Sequence, residues 1–449
     1  MEGSDEQFRE AVIREVGDIL RASLERMADE IRDLARVERY VQGMLRRVGS
    51  VMVNQWAAWG AQATERPDGP RCGRPMEVRN RRARRYVGLV GDLEIQRTEY
   101  GCRTCGESAV PEDHILDLGP GCLSPEWTRV VTGACAEIPS FERAAAMIGE
   151  TLGVSLTADT AARATEAIGA VVEQEMQEAM AEGIPSTPEA EPGPLVLMVG
   201  MDATKAHAGG QWRDVKVAVV APLGPEVVTH PETGRETLRL GPQTYGAGIE
   251  DADRFYDRVM VLAQRAGWHP TRPLKVVLLG DGGPWIWARA DRFRAEGIEV
   301  VEILDLYHAR EHIWEVAHAV LGTDVRGHQW ADTTAQAILT GGADAALSVL
   351  TPRGETHCTQ VRRAIEYFTT NADRMHYATY LAQALPLGSG VVESACRLVC
   401  GLRCKGPGMR WSLSGVQSVL SLRAERLSQP SSFPITSRAD VGSKREAWA

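Results

Sequence analysis

The sequence predicts an α/β protein built on a mixed five-stranded sheet, with an all-helical insertion and a helical, ribbon-like region ahead of it. Three observations predict this. After residue 195 the texture changes: PLVLMVGMD reads as a buried strand, WRDVKVAVVAPLG as a second and ETLRLG as a short third. An amphipathic helix over 249–266 then leads to LKVVLLGDG and IEVVEILD, two further strands separated by a helix at 284–296. From 306 to 385 the patterning is helical, with Ala-rich runs such as ADTTAQAILTGGADAALSVL and no strand signal.

Three strands followed by helix, strand, helix and strand is the order of the ribonuclease H-like fold, half antiparallel and half parallel. Upstream, residues 6–50 read as one helix. Val12, Ile13, Val16, Ile19, Leu20, Leu24, Met27, Ile31 and Leu34 recur at helical spacing. WAAWGAQATERPDGP breaks that pattern. YVGLVGDLEIQRTEYGC reads as two short strands around a Gly-Asp turn, inside a small β unit over 70–106. Residues 124–182 are helical again, with a helix–Gly turn–helix in which Thr157 or Asp159 caps the second helix. That arrangement is either a helix-turn-helix DNA reader or an ordinary packed pair. The second helix is not basic, which favours the packed pair.

GIPSTPEAEPGP at 183–194 is a linker by composition. LPLGSG interrupts the chain before a helix that begins near Ser389, and the tail from Pro430 is Ser/Pro-rich. The expected organisation has a helical region at 1–55, a degenerate ribbon at 56–115 and a helical region with linker at 116–190. The sheet core follows at 191–305, the helical insertion at 306–386, a C-terminal helix region at 387–429 and the tail at 430–449.

The 449 residues suffice for several domains and a sizeable core. The apolar stretches are too short to span a bilayer, and MEGSDEQFRE lacks a secretory segment, so a cytoplasmic location is expected, with no membrane partner. Nine cysteines in that setting read as thiols or metal ligands. The net charge of −10 opposes nucleic-acid binding on average, but two basic patches stand out. One is Arg79, Arg81, Arg82, Arg84 and Arg85; the other is Arg397, Arg403, Lys405 and Arg410. Both are candidates for contact with a phosphate backbone, against the alternative of solvated arginine-rich surfaces.

The chemistry centres on three carboxylates. Asp202 and Asp281 each close an apolar strand, where a charge is costly without partners. Glu393 lies in the first turn of a late helix, where free backbone N–H groups favour a negative charge. Such a set suits two magnesium ions, with manganese as substitute, for phosphoryl transfer. Arg397, one turn on, is placed to pair with Glu393 or meet a phosphate. Asp305, His308 and His312 share a face in ILDLYHAREHIW and read as supports of the site. A zinc hydrolase built on them is disfavoured, because the Glu does not directly follow the first His.

Cys396, Cys400 and Cys404 fall at spacing four and read as small packing residues. Cys72, Cys102 and Cys105 flank the β unit, but the position that would complete the first knuckle is Gly69. Zn2+ wants four N/S ligands. Neither His114 nor Cys122 is required by spacing, so the expectation is a metal-free remnant.

The segments GMDATK, LGDGGPWIW, ILDLYHAREHIW, LPLGSGVVESACRLV and LRCKGPGMRWSLSGVQSVLSLRA resemble the transposases of the bacterial ISKra insertion-sequence family, DDE enzymes related to Mutator-like elements. The resemblance runs from about residue 60 to 430 and is most specific in its C-terminal block. It implies a ribonuclease H-like catalytic domain with a helical insertion before the final glutamate, and Asp202, Asp281 and Glu393 as the catalytic triad. It also implies that Asp305 and His308 form an accompanying motif. The family usually opens with a four-cysteine ribbon, from which this chain departs at Gly69.

The function expected is a DNA transposase that binds terminal inverted repeats, nicks at the ends and joins the freed 3′-hydroxyl to target DNA. It would act as a homodimer or larger assembly on DNA, nucleoid-associated in a bacterium. The alternatives are a nuclease or resolvase of the same fold, which cuts without joining, and a non-catalytic DNA-binding regulator.

Overall fold

The computed structural model describes residues 2–30, 33–62, 66–116, 118, 121–184, 195–229, 234–353 and 358–428. The chain divides into two compact units between Thr165 and Glu166. The tail from Pro430 and most of the expected linker, 185–194, lie outside the described residues.

In the N-terminal unit the single helix expected over 6–50 is two, α1 (Glu2–Glu30) and α2 (Leu34–Gln62). Asp33 starts the second: its carboxylate accepts the Arg36 N–H at 3.0 Å, a helix N-cap. Phe8 stacks near Trp59, Gln55 reaches Glu15 and Arg47 reaches Ser23, so the two helices run antiparallel. The apolar periodicity continued across the break and hid it.

The β unit is a hairpin of β1 (Glu77–Gly88) and β2 (Gly91–Gly101), with the short β3 (Ser108–Ala109) added to β2. Gly88 pairs with Gly91, so the turn is Leu89–Val90 and not the expected Gly-Asp; Asp92 already pairs with Val87. After α3 (Pro111–Ile115) come α4 (Pro125–Glu137), α5 (Phe141–Leu152) and α6 (Ala158–Glu182). Gly153, at φ 60°, ends α5, and the Thr157 hydroxyl accepts the Thr160 N–H to start α6. Trp127, Val131, Cys135, Ala144, Ile148 and Ala161 fill the core among these helices. The unit boundary falls inside α6.

The C-terminal unit holds a mixed sheet: β4 (Val196–Ala208), β5 (Gln211–Thr229), β6 (Glu236–Leu240), β7 (Thr244–Gly248), β8 (Leu274–Gly280) and β9 (Ile298–Leu304). The order is β6-β5-β4-β8-β9, with β7 also on β5. Strands β4, β8 and β9 are parallel; β5 is antiparallel to β4, β6 and β7. The sheet has six strands rather than five. The long β5 pairs with β7 over 216–220 and with β6 farther on, and Gly241 separates the two short strands. Helix α7 (Ala252–Arg265) follows, capped by Asp251. The helix expected at 284–296 is one turn of α-helix, α8 (Pro284–Trp287), and a 3-10 turn at Ala290–Phe293.

Apart from Lys275, LKVVLLG is apolar because both faces of β8 are covered. Val276 and Leu278 pack on one side with Phe255, Val259 and Phe293, while Val277 and Leu279 pack on the other with Ile313, Ile338 and Phe368. The second layer comes from α9 (Leu306–Val320), α10 (Val325–Leu350), α11 (Thr359–Thr370) and α12 (Tyr377–Ala382). The last segment is α13 (Gly390–Ala395), a π-helical stretch at Cys396–Gly401, α14 (Leu402–Cys404) and α15 (Leu413–Leu427). No helix among the described residues is long and apolar enough to cross a membrane.

Candidate carboxylate site

Asp281 and Asp305 directly follow β8 and β9. Asp202, expected to end its strand, does not; β4 runs on to Ala208. What ends near Asp202 is the parallel pairing, whose last pair is Gly200 with Leu279, while the antiparallel pairing with β5 continues. Gly280 in turn pairs with Leu304. Continuing both registers puts Asp202, Asp281 and Asp305 in one row across three neighbouring parallel strands, which are spaced about 4.8 Å apart. Asp305 joins the row through its own N–H, which donates to Gly280 O at 2.8 Å.

The late helix meets this row at β4. A Cβ on Gly200 would stand 2.2 Å from Val392 Cγ2, so α13 lies against bare backbone there. Four residues beyond Val392, the Cys396 thiol contacts Asp202 Oδ2 at 3.5 Å. Glu393 lies between these two contact residues in the chain and is exposed. Cys396, Cys400 and Cys404 are all buried, as packing residues would be, and the first two lie within the π-helical stretch. Arg423, buried on α15, donates to the carbonyls of Leu398 and Val399 within that stretch, where the i→i+5 pattern alters backbone pairing.

Burial raises the Asp202 carboxyl above its usual range; the Ala203 N–H opposes this and the Asp281 charge adds to it. Asp281 Oδ1 accepts the Gly283 N–H at 2.9 Å, and Gly282 takes φ 101°, open chiefly to glycine. Tyr367, on α11, donates its hydroxyl to Asp281 O at 2.9 Å, and its ring lies 3.9 Å from that of His312. Neither Tyr367 nor Cys396 was singled out as a site residue from the sequence. Their contacts are long-range, and only the position of Cys396 three residues after Glu393 hinted at one.

Asp305 is fully buried, and both its oxygens are used. Oδ1 caps α9 through the N–H groups of Tyr307 and His308, and Oδ2 accepts the Ser389 N–H at 2.5 Å. It therefore ties the end of β9 to the residue that precedes α13. His308 Nδ1 lies 3.6 Å from Asp305 Oδ2. Asp305 draws its pKa up to about 9; burial opposes this, and Asp281 contributes further. His312 is shifted down, mainly by burial.

Among the described residues, the set of three Cys, His, Asp or Glu side chains whose ligand atoms all lie within 4.8 Å of one another is Cys72, Cys102 and Cys105. Asp202, Asp281 and Glu393 do not close to that spacing, and repulsion between like charges opposes a tighter set. Their hard oxygens fit a magnesium ion, which keeps water and substrate oxygens as its other ligands.

The basic candidates divide. Arg403 is 1 % exposed and lies over the Trp411 ring, so it cannot reach a phosphate backbone, contrary to expectation. Lys405, Arg397 and Arg410 are exposed, and Lys405 Nζ contacts Thr204, two residues past Asp202. Among the described residues, no ion pair joins Arg397 to Glu393. The arginines of β1 do not make one patch. Arg81 and Arg85 alternate with Arg82 and Arg84, which share the face of the buried Tyr86. Arg79 sits at a bulge, and Arg84 covers the Tyr86 ring.

No protein-family model matches the chain, and no curated protein shows significant similarity to it.

Proposed function

We propose that the chain is a DNA transposase of the DDE type, with Asp202, Asp281 and Glu393 as its metal-binding carboxylates. The observation that carries this is the meeting of three remote segments: the register row of Asp202 and Asp281, and the Glu393 helix seated on β4 through Val392 and Cys396. The strand order, three antiparallel positions followed by two parallel ones, agrees with a ribonuclease H-like core. The helices between β9 and α13 then correspond to an insertion ahead of the glutamate.

Two divalent cations, magnesium or manganese, would supply activation of a water or 3′-hydroxyl and stabilisation of the leaving oxygen. Asp202 and Asp281 would hold them from neighbouring strands, and Glu393 from the exposed rim. Tyr367 and Gly283 fix the turn that carries Asp281. His308, with Nδ1 3.6 Å from Asp305 Oδ2, offers an imidazole N–H suited to a phosphate oxygen. Lys405, Arg397 and Arg410 offer backbone contacts near the site, and Arg79, Arg81, Arg82 and Arg85 offer them in the N-terminal unit. Synapsis of two ends calls for a second copy; the α1–α2 hairpin exposes Ile13, Leu24, Leu34, Leu45 and Trp56 as a surface for it.

The test uses the element's own terminal inverted repeats. Asp281→Asn should abolish magnesium-dependent strand cleavage and leave end binding intact. Supplied with a pre-cut 3′-hydroxyl end, the wild-type chain should join it to target DNA. Cleavage without joining would indicate a nuclease, and full cleavage by Asp281→Asn would end the proposal.

A further inference from the structure

Gly69-Pro70-Arg71-Cys72-Gly73-Arg74 and Cys102-Arg103-Thr104-Cys105-Gly106-Glu107 fold as the same turn. In the first, Gly69 N donates to Arg74 O at 2.8 Å and Gly73 N to Gly69 O at 2.8 Å. In the second, Cys102 N donates to Glu107 O at 2.9 Å and Gly106 N to Cys102 O at 3.0 Å. Gly73 and Gly106 both take positive φ, 62° and 76°. An Arg71–Glu107 ion pair ties the two turns together. In such paired knuckles the first and fourth residues of each turn face one point.

Three of those four positions are thiols here. Cys72 Sγ and Cys102 Sγ are 3.4 Å apart, and with Cys105 Sγ they fall within 4.8 Å of one another. Three sulfurs around a zinc ion with Zn–S bonds of about 2.3 Å stand about 3.8 Å apart. The fourth corner is Gly69, which is buried. A Cβ there would lie 2.9 Å from the sulfurs of Cys72 and Cys102 and 3.2 Å from that of Cys105. Neither His114 nor Cys122, both exposed, joins the set.

We propose that Cys72, Cys102 and Cys105 bind one zinc ion as three thiolates, and that its fourth position, which Gly69 cannot supply, is left to a water or a small exogenous ligand. Structural zinc sites are ordinarily closed by four protein ligands, whereas an open fourth position makes the ion exchangeable and reachable by an added ligand. The proposal does not depend on the catalytic reading; it concerns the N-terminal unit alone.

The experiment uses the full-length chain purified with reductant. Elemental analysis should find about one zinc per chain, lost in Cys105→Ser. In the cobalt-substituted chain, thiolate charge-transfer absorption should accompany tetrahedral ligand-field bands. Added imidazole should shift those bands in the wild type; bands that do not move would overturn the open fourth position. Should a variant fail to fold, mercurial titration of the wild type decides: three thiols per zinc released supports the site. Zinc-free protein at micromolar free zinc, a Cys72–Cys102 disulfide in peptide mapping, or zinc retained in folded Cys105→Ser would overturn the proposal.

Discussion

Gly200→Ala tests whether the Glu393 helix is held against the sheet as described. The added Cβ would stand 2.2 Å from Val392 Cγ2. Carbon atoms in contact prefer about 3.5–4.0 Å, so α13 must retreat by roughly 1.3 Å or more. Overpacking of this kind costs about 1–3 kcal/mol of stability. Displacing a reacting group by about 1 Å costs on the order of 10²-fold in rate. The variant should therefore lose Tm and cleave DNA ends on the order of 10²-fold more slowly, while binding them normally. Val392→Ala removes the colliding methyl groups, leaving Val219 Cγ1 at 3.3 Å as the nearest other atom to the new Cβ. The double variant should recover both losses in part, with a favourable coupling of about 1 kcal/mol or more. Unfolding in denaturant and single-turnover cleavage of labelled ends measure the two effects. Unchanged stability and unchanged cleavage in Gly200→Ala would refute the packing of α13 on β4.

Four further outcomes follow from contacts described above or buried in the same unit. Tyr367→Phe removes the hydrogen bond to Asp281 O and should cost about 1 kcal/mol by denaturation and slow cleavage without weakening end binding. Asp305→Asn turns an acceptor of the Ser389 N–H into a group that also donates. In the metal-free protein it should lower the His308 pKa from about 9 toward the ordinary imidazole value, as read by NMR titration; an unmoved His308 would contradict the Asp305–His308 pairing. Arg258, 2 % exposed between Glu173 and Glu250, is a buried charge whose replacement by Met should cost about 3–5 kcal/mol. Burial alone would raise the Glu173 carboxyl, but Arg258 outweighs it and holds the group below its ordinary range. Its stabilisation is thus complete above the unfolded carboxylate pKa and lost as pH falls through the lower folded value. Denaturation curves from pH 7 to pH 3 should show Glu173→Gln with a weaker acid dependence than the wild type.

The sheet was legible where local pattern sufficed. LKVVLLGDG announces a buried strand by the apolar run after Lys275, IEVVEILD a strand by its β-branched residues, and both end where expected. Features set by partners were not legible. Asp202 resembled a strand end because the apolar run stops there, yet β4 continues on its pairing with β5 alone. The split of the third sheet position into β6 and β7 depends on the length of β5, and the burial of Arg403 depends on Trp411 eight residues away. The α1–α2 break was written in Asp33 but masked by apolar residues on both sides. Gly69 showed a missing ligand in the sequence. That it sits over three gathered thiols follows from the β1–β2 register, which pairs Glu77 with Gly101 and brings the two turns together. The roles of Asp305 and Ser389 likewise emerge only when β9 and α13 are adjacent.

The most direct measurement of the central claim is a manganese-soaked crystal of the full chain with its DNA ends, read by anomalous scattering. The predicted result is manganese density bound by Asp202 and Asp281 on one side and Glu393 on the other, with ligand distances near the roughly 2.1 Å of a hard octahedral ion. Manganese density absent from these carboxylates at saturating ion, or bound without Glu393, would contradict it.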